Sequence, residues 1–193
     1  AVEKIIKKYP DIAVEMTSDY GLTDIVDGRF DAGIRRGGLV SKDMIAVKIS
    51  HGIAMLAVAT PDYLNQKGRP THPKDLIEHD CINLRLPTHG AMFRWQFTQG
   101  NKTQSVKVES KITFTTITPM LQAVKSGVGI SYLPIDMVQP YIESGELEEV
   151  LKDWRHTYEP FYLYYPHRRE QAPLLNILIT ALKENFDNKS ALF

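Results

Sequence analysis

The N-terminal part of the chain carries two different spacings of apolar side chains. From residue 2 to residue 9 they recur at i, i+3, i+4 and i+7, which predicts an amphipathic helix. Residues 12–16 and 30–35 alternate between apolar and polar positions and predict strands, and a short helical pattern over 22–26, closed by Gly28, separates them. The order strand, helix, strand predicts a βαβ unit with parallel strands.

The next segment predicts further strands separated by short helices. Apolar residues at 44–49 predict a strand, and the nearly continuous apolar run at 53–59 predicts a strand that is covered on both faces. Thr60, followed by a proline, is a helix-start signature because its hydroxyl can cap free N–H groups while proline occupies the first turn. Another helix is expected near Pro73 and a strand at 82–84.

Residues 95–108 predict a β-hairpin. Two alternating segments are separated there by Gln99-Gly100-Asn101, a run typical of a tight turn. Because the strands of a hairpin are antiparallel, this pattern predicts that the sheet is mixed.

The C-terminal part of the chain alternates between helical and strand patterns. One face of a helix is formed by Ile117, Met120, Leu121 and Val124, and Gly127 is placed to end it. Strands are expected at 128–133, 147–151 and 161–165, and helices from Pro134 to about residue 144 and over 174–186. With α/β units at both ends and a hairpin in the middle, the sequence predicts an α/β protein with two interleaved lobes.

Hydroxyl side chains collect where a predicted strand meets a predicted helix. Thr115, Thr116 and Thr118 surround Ile117 ahead of the apolar helix, and Ser18 occupies a similar junction near the N-terminus. The free N–H groups and the dipole at a helix start attract anions, so such a junction can hold a carboxylate. Taken singly, each group can also be a simple N-cap. Two such groups at strand ends of an open α/β sheet favour a ligand pocket.

Composition and charge narrow the class of protein without choosing a ligand. The 193 residues include 23 basic and 23 acidic side chains, so there is no general positive field to attract nucleic acid. No apolar run is long enough to span a bilayer, and no membrane association is expected. The single cysteine excludes an internal disulfide and favours a cytoplasmic location.

The motifs of common enzymes and metal sites are missing from the sequence. Gly127-Val128-Gly129 follows a helix and precedes a strand, whereas a nucleotide-binding loop needs the opposite order. His79-Asp80-Cys81 brings an imidazole near a thiol, but adjacent side chains point in different directions, so a buried structural thiol is expected. The six histidines lack the paired spacing of zinc ligands. We therefore expect no enzyme activity, no metal and no cofactor.

An ordered set of short motifs runs through nearly the whole chain. They are Lys8-Tyr9-Pro10-Asp11, Asp27-Gly28-Arg29-Phe30-Asp31-Ala32-Gly33-Ile34-Arg35, Pro61-Asp62-Tyr63-Leu64, His72-Pro73-Lys74-Asp75-Leu76, His79-Asp80-Cys81-Ile82, Gly127-Val128-Gly129-Ile130-Ser131 with Leu133-Pro134, and Tyr165-Pro166-His167-Arg168-Arg169. Each motif is weak by itself. Together, in this order and spacing, they closely resemble the effector-binding domain of LysR-type transcriptional regulators.

The resemblance implies a fold like that of the type II periplasmic binding proteins, with two Rossmann-like α/β lobes joined by two crossover strands. Lobe I is expected to be discontinuous, over 1–51 plus 160–193, and lobe II to cover 52–159. Family members begin with a winged helix-turn-helix, a linker helix and a first strand, and none of these is in this chain. DNA contact is therefore expected only through the missing N-terminal domain, and a homodimer or homotetramer is expected.

The resemblance also implies a small-molecule effector held between the lobes. The implied contacts are Ser18, Arg85, Pro87, Thr88, Thr115, Thr116, Ile117 and Thr118. Two further residues stay open: Arg35 can approach the cleft or form a salt bridge across it, and Trp95 can wall the site or pack in the core. The hydroxyls and Arg85 favour a small carboxylate, although a neutral polar compound would also fit.

Two functions of different classes share this fold. The resemblance favours an effector-sensing regulatory domain of a bacterial transcription factor, whose effector controls DNA binding and transcription by the full-length protein. The alternative is an extracytoplasmic solute-binding protein of a transport system. The two would differ in the residues that precede this chain, a helix-turn-helix in the first case and an export signal in the second.

Overall fold

The computed structural model of this chain describes residues 1–18, 21, 24–39, 43–86, 90–167 and 172–190. The chain forms two compact units, which are residues 1–52 with 159–193 (unit 1) and residues 53–158 (unit 2). Each boundary lies one residue from the corresponding boundary expected from the sequence. The chain passes from one unit to the other between Gly52 and Ile53 and again between Tyr158 and Glu159.

Helices and strands alternate along the described residues. The α-helices are α1 (Val2–Lys8), α2 (Pro61–Lys67), α3 (Ile117–Lys125), α4 (Ile135–Glu143) and α5 (Pro173–Ser190). The strands are β1 (Gly33–Arg36), β2 (Met44–Lys48), β3 (Ile53–Ala59), β4 (Cys81–Leu84), β5 (Trp95–Gln99), β6 (Lys102–Val106), β7 (Ser110–Phe114), β8 (Ile130–Pro134), β9 (Glu148–Val150), β10 (His156–Tyr158) and β11 (Phe161–Pro166). Short 3₁₀ segments cover Gly37–Leu39, Pro73–Glu78 and Lys152–Trp154.

Unit 1 is built on a three-stranded antiparallel sheet in the order β1-β11-β2. One face of β11 carries Leu163 and Tyr165, which form a core with Leu175 and Ile179 of α5. These four side chains are nearly inaccessible to solvent. Burial of a leucine or isoleucine stabilises a fold by about 1.5–3 kcal/mol, so this contact anchors α5 to the sheet.

The βαβ unit predicted at the N-terminus is not formed in the described part of the chain. Residues 12–18 are irregular and residues 25–29 form turns. A carboxylate oxygen of Asp24 accepts hydrogen bonds from the N–H groups of Val26 and Asp27, at 2.7 and 3.3 Å. Such a local turn competes with the helix that the apolar spacing predicted, of which residues 22 and 23 lie outside the described residues. Met16 is 74% exposed, which is unlike a strand position that faces a core.

Unit 2 is built on a larger mixed sheet in the order β10-β3-β8-β4-β7, with β9 also paired to β3. Strands β8, β4 and β7 are parallel, whereas β3 pairs antiparallel with β8, β9 and β10. The predicted hairpin is present as β5 and β6, but it forms a separate two-stranded sheet. The sheet is therefore mixed because of β3 and not, as predicted, because of the hairpin.

Helix boundaries in unit 2 agree with the predicted stop and start signals. The Thr60 hydroxyl accepts a hydrogen bond from the Tyr63 N–H at the start of α2. Helix α3 ends at Lys125, and Gly127 follows with a φ of 75°, a conformation that favours glycine. At Gly129 a Cβ atom would overlap the carbonyl group of Asp80. These glycines therefore serve a helix stop and a close chain contact, as expected, and not a nucleotide loop.

Candidate functional site

Two parallel strands of unit 2 end side by side. Leu84 of β4 is paired with Phe114 of β7, and the N–H of Arg85 then donates a 2.7 Å hydrogen bond to the Phe114 carbonyl oxygen. Arg85 and Thr115 are consequently the first residues beyond the ends of neighbouring strands. In open α/β sheets, ligands bind at this carboxyl edge. The structure thus brings two of the sequence-predicted segments together.

The start of α3 keeps backbone donors that no side chain caps. Thr116 is the N-cap residue, with the extended backbone of a capping residue (φ −138°, ψ 156°), yet its hydroxyl makes no capping hydrogen bond. This hydroxyl is therefore not a simple N-cap, the alternative that the sequence left open, in contrast to Thr60 at the start of α2. The first N–H groups of a helix have no partner within the helix, and those of Ile117 and Thr118 have none among the described residues. Their orientation and the helix dipole favour an anion.

The threonine side chains of this segment are accessible. Thr115, Thr116 and Thr118 are exposed, and Ile117 is half-buried. Ile117 and Thr118 belong to α3, whereas Thr115 and Thr116 form the turn between β7 and this helix. Two kinds of donor therefore occur within one short segment, namely hydroxyl groups and backbone N–H groups.

Arg85 opens a narrow loop. Its guanidinium Nη1 donates to the Gly90 carbonyl oxygen at 2.8 Å, and its backbone forms a bridge with Met92. The N–H of Leu86 donates to the Ala91 carbonyl oxygen at 2.8 Å, which continues the pairing towards the loop tip. An exposed guanidinium has five N–H donors and a permanent charge, so this side chain can also bind a carboxylate. Pro87 and Thr88, two further predicted contacts, lie outside the described residues.

Ser18 belongs to unit 1 and has a different setting from the predicted one. It is exposed and closes an irregular segment, residues 12–18. The strand expected before it is absent from the part of the chain that the structure describes. Its role as an effector contact stays a prediction that rests on the family resemblance.

Arg35 and Trp95, whose roles the sequence left open, have clear neighbours. Arg35 donates to the carbonyl oxygen of Gly21 at 3.1 Å, and its guanidinium lies 5.6 Å from the centre of the Tyr164 ring. Trp95 is completely buried in the core of unit 2 and stacks on Tyr132 at a ring-centre distance of 5.2 Å. Trp95 is therefore a packing residue and not an exposed wall.

Sequence reasoning missed a fully buried asparagine next to this site. Asn83 accepts hydrogen bonds from the N–H of Leu84 and from the indole N–H of Trp95, at 2.8 and 3.0 Å. Its amide nitrogen donates to the Phe93 carbonyl oxygen at 2.9 Å. The available signal was a lone polar residue within an apolar strand, which is unusual because a buried amide must find partners.

Two further reactive side chains of unit 2, Cys81 and His79, have structural partners. Cys81 is buried, and desolvation followed by the nearby Asp80 carboxylate raises the pKa of its thiol to about 12. Its Sγ donates to the Leu76 carbonyl oxygen, while Nδ1 of His79 is hydrogen-bonded to the Tyr63 hydroxyl at 3.3 Å. The thiol and imidazole are thus engaged with different groups, as expected. Among the described residues there is no cluster of metal-ligating side chains.

A concave surface lies in unit 1. It is a depression of about 530 Å³ lined by Gly37, Gly38, Ala46, Glu159, Pro160 and Tyr162. The described lining contains none of the predicted effector contacts. No helix within the described ranges is long and apolar enough to cross a membrane.

The matching of this chain to a known family decides between the readings of the fold. Residues 1–187 match the family described as the LysR substrate binding domain. The chain belongs to this family. The predicted two-lobed α/β fold of the type II periplasmic-binding-protein class is thereby confirmed, because the LysR-type regulatory domains described next share it.

Several relatives are regulators of transcription by name. The PgrR regulator of Escherichia coli (strain K12) is 40% identical over 183 residues, which cover 95% of this chain and 61% of that protein. A putative transcriptional regulator of Pseudomonas aeruginosa is 39% identical over 93% of this chain and 58% of its own length. The chain therefore spans about three fifths of the length of these relatives.

Solved structures of LysR-type regulators have the same fold. The full-length virulence activator AphB of Vibrio cholerae superposes with a TM-score of 0.82 at 25% identity, over 96% of this chain and 62% of AphB. The CrgA regulatory domain of Neisseria meningitidis gives a TM-score of 0.81 at 22% identity, over 96% of this chain and 89% of that domain. The LysR domain described here is thus similar to the regulatory part of such proteins.

Proposed function

We propose that this LysR domain senses a small, carboxylate-bearing metabolite for a bacterial transcriptional regulator. One observation carries the proposal: the uncapped start of α3 and the cation Arg85 follow the paired ends of β7 and β4. Backbone donors at a helix start together with a guanidinium match the two oxygens and the charge of a carboxylate. The proposed contacts in unit 2 are Arg85, Pro87, Thr88, Thr115, Thr116, Ile117 and Thr118, and Ser18 is the proposed contact from unit 1.

The effector would act by shifting an equilibrium of the full-length protein. A ligand changes the population of two states only as far as it binds one of them more tightly. A change from mostly one state to mostly the other requires a preference of about 5 kcal/mol. Charge-assisted hydrogen bonds contribute about 1.5–3 kcal/mol each, so a few of them to one carboxylate suffice. Transcription would then respond through the DNA-binding domain that the full-length protein carries.

The names of the relatives support regulation over transport. PgrR and the related protein of Pseudomonas aeruginosa are both described as transcriptional regulators, so the alternative of a solute-binding protein for uptake is not favoured. Regulators of transcription act where the DNA is, and we propose a cytoplasmic location and a role without catalysis for this domain. DNA contact belongs to a domain outside this chain.

A thermal-shift screen tests the proposal directly. The panel pairs small carboxylates with the corresponding amides, and the proteins are the wild type, Thr116→Val, Ser18→Ala and the control Thr157→Val. Thr157 is an exposed threonine in β10 of unit 2, so its substitution matches Thr116→Val in chemistry but not in place. We expect carboxylates alone to stabilise the wild type and the control. A stabilisation that Thr116→Val and Ser18→Ala both leave unchanged would show that neither hydroxyl contacts the effector.

A further inference from the structure

We propose that Asn83 is a positioning residue of the candidate effector site, an inference that rests on the proposed function. Its side chain is hydrogen-bonded to Leu84 and to Phe93, the two ends of the segment 84–93, here called the Arg85 loop, of which 87–89 lie outside the described residues. Asn83 itself is completely buried and so acts through the main chain of this loop.

The first step of the argument concerns the place where β4 separates from β8. The pairing of β4 with β8 stops at Ile82, whereas its pairing with β7 continues to Leu84. Backbone groups of a strand alternate in direction, and the Arg85 N–H is bonded to Phe114 of β7. The Leu84 N–H therefore points to the side that β8 has left. It needs another acceptor there because it is buried.

Asn83 supplies that acceptor and also binds the chain where it returns to β4 at Phe93. Its Oδ1 accepts from the Leu84 N–H at 2.8 Å, and its Nδ2 donates to the Phe93 carbonyl oxygen at 2.9 Å. The Phe93 N–H donates to the Leu84 carbonyl oxygen at 2.8 Å, so Phe93 occupies the position beside β4 that β8 vacates. One side chain thus holds the outgoing and the returning strand of the loop.

A second set of contacts fixes the amide itself. The indole N–H of Trp95 donates to the same Oδ1 at 3.0 Å, and Trp95 stacks on Tyr132. The hydroxyl of Tyr132 donates in turn to the Gln96 carbonyl oxygen in the following hairpin. Both lone pairs of Oδ1 are therefore used, and the amide has one defined orientation.

The chemistry at position 83 indicates a geometric role and not mainly a stabilising one. The surrounding cluster contains Cys81, Trp95 and Tyr132, where an apolar side chain would be buried at lower cost. A satisfied buried polar network, in contrast, specifies a unique arrangement of the chain around it. Here that arrangement is the base of the Arg85 loop.

Amide hydrogen exchange tests the positioning without any ligand. The variants are Asn83→Leu, which keeps the branched shape of the side chain but removes the hydrogen bonds, and Asn83→Leu/Trp95→Phe, which also removes the indole donor. Ser131→Ala is the matched control, because Ser131 is a completely buried polar residue in β8 whose hydroxyl has no hydrogen-bond partner among the described residues. We expect exchange of the Leu84, Leu86 and Phe93 amides to become at least about tenfold faster in both Asn83 variants. Exchange of the Val58 and Tyr132 amides should stay within about twofold of the wild type.

A second experiment measures ligand binding by titration with sodium acetate. Amide resonances are followed, and sodium chloride at equal ionic strength is the reference. We expect acetate to shift the resonances of 115–118 in the wild type and in Ser131→Ala, with at least about fivefold weaker binding in Asn83→Leu. Unchanged loop exchange in both Asn83 variants would overturn the inference. So would equal acetate binding by Asn83→Leu and the wild type.

Faster loop exchange with no shift at 115–118 by acetate or any panel carboxylate would separate the two ideas. That result would overturn the proposed function and any role of the loop in binding. It would still support the conclusion that Asn83 fixes the conformation of the loop.

Discussion

The N–H of Arg85 donates a 2.7 Å hydrogen bond to the carbonyl oxygen of Phe114. This bond extends the pairing of β4 and β7 by one residue beyond the end of β4. The cation Arg85 therefore follows the end of β4, next to the point where β7 ends and the threonine segment before α3 begins. Two segments that lie about thirty residues apart in sequence contribute to one edge of one sheet.

Replacement of Arg85 should separate carboxylate ligands from neutral ones. Arg85→Gln keeps hydrogen-bond donors but removes the charge, so we expect affinity for carboxylates to fall by about tenfold or more and affinity for the matched amides to change little. The measurement is a calorimetric or thermal-shift titration with panel compounds. Arg94→Gln is the control, since Arg94 is also exposed and also donates to a backbone carbonyl, that of Ser105. Equal losses for carboxylates and amides would contradict a role for the charge.

An aspartate at the start of α3 should stabilise the fold and abolish binding. Thr116→Asp supplies the cap that Thr116 does not provide. Its carboxylate would accept from the Thr118 N–H, one of the donors proposed for the effector, since Pro119 at the third helical position has no N–H. We expect the free energy of unfolding to rise by about 1 kcal/mol, or Tm by roughly 2–4 °C, with loss of carboxylate binding.

Thr157→Asp introduces the same charge away from the helix start and is the control for this experiment. It should leave binding close to that of the wild type and should not raise stability, because aspartate is disfavoured in a strand. Retention of full carboxylate affinity by Thr116→Asp would show that the start of α3 does not bind the effector.

The sequence predicted elements well where the pattern and the packing agree. The run at 53–59 is the buried strand β3, and the helix-start signal at Thr60 and the helix stop at Gly127 are both found in the structure. The apolar spacing predicted a helix wrongly where a local polar group binds the backbone instead. The Asp24 carboxylate accepts hydrogen bonds from the N–H groups of Val26 and Asp27 and so stabilises a turn. The alternation of apolar and polar side chains at 12–16 is compatible with a strand, but a strand also needs a neighbouring strand to pair with.

The residues of the candidate site could be predicted only in part from the sequence, because one of them depends on contacts between distant segments. The threonines are prominent as a cluster of hydroxyls in sequence, and Arg85 follows an apolar strand. The role of Asn83 depends on the separation of β4 from β8, which is a relation between distant segments and leaves only a lone polar residue in the sequence.

Stability should decrease in mildly acidic solution because of His79. Burial lowers the pKa of His79 below its ordinary value of 6.5, and the neutral Nδ1 can accept from the Tyr63 hydroxyl. The unfolded chain then binds a proton more readily than the folded one, so stability is kept above pH 6.5 and lost as the pH falls through the folded-state pKa. We expect His79→Asn, whose amide oxygen can accept the same hydrogen bond, to show a flatter dependence in urea unfolding between pH 7.5 and about 5. Parallel curves for the two proteins would contradict this assignment.

The thiol of Cys81 should be unreactive in the folded protein. Its pKa is raised to about 12 because it is buried, so almost no thiolate forms at neutral pH. We expect labelling by the thiol reagent DTNB to be slow in buffer and complete in denaturant, with a rate that follows global unfolding. Rapid labelling under native conditions, with the unfolding midpoint unchanged, would instead identify Cys81 as an accessible redox-sensitive group.

The exposed side of α1 should mediate association between copies of the chain. Ile5 is buried and α1 packs against α5, whereas Ile6 on the same helix is 46% exposed. The apolar pattern of this helix is thus only partly used within unit 1, and we predict that the remaining part contacts a second copy. Ile6→Glu should shift the sedimentation velocity towards that of a monomer at tens of micromolar, a concentration range suited to weak association.

Ile77→Glu is the control, because Ile77 is 76% exposed but lies in the 3₁₀ segment Pro73–Glu78 of unit 2. A wild-type chain that sediments only as a monomer would refute the prediction, and equal effects of the two substitutions would show that α1 has no special part in association.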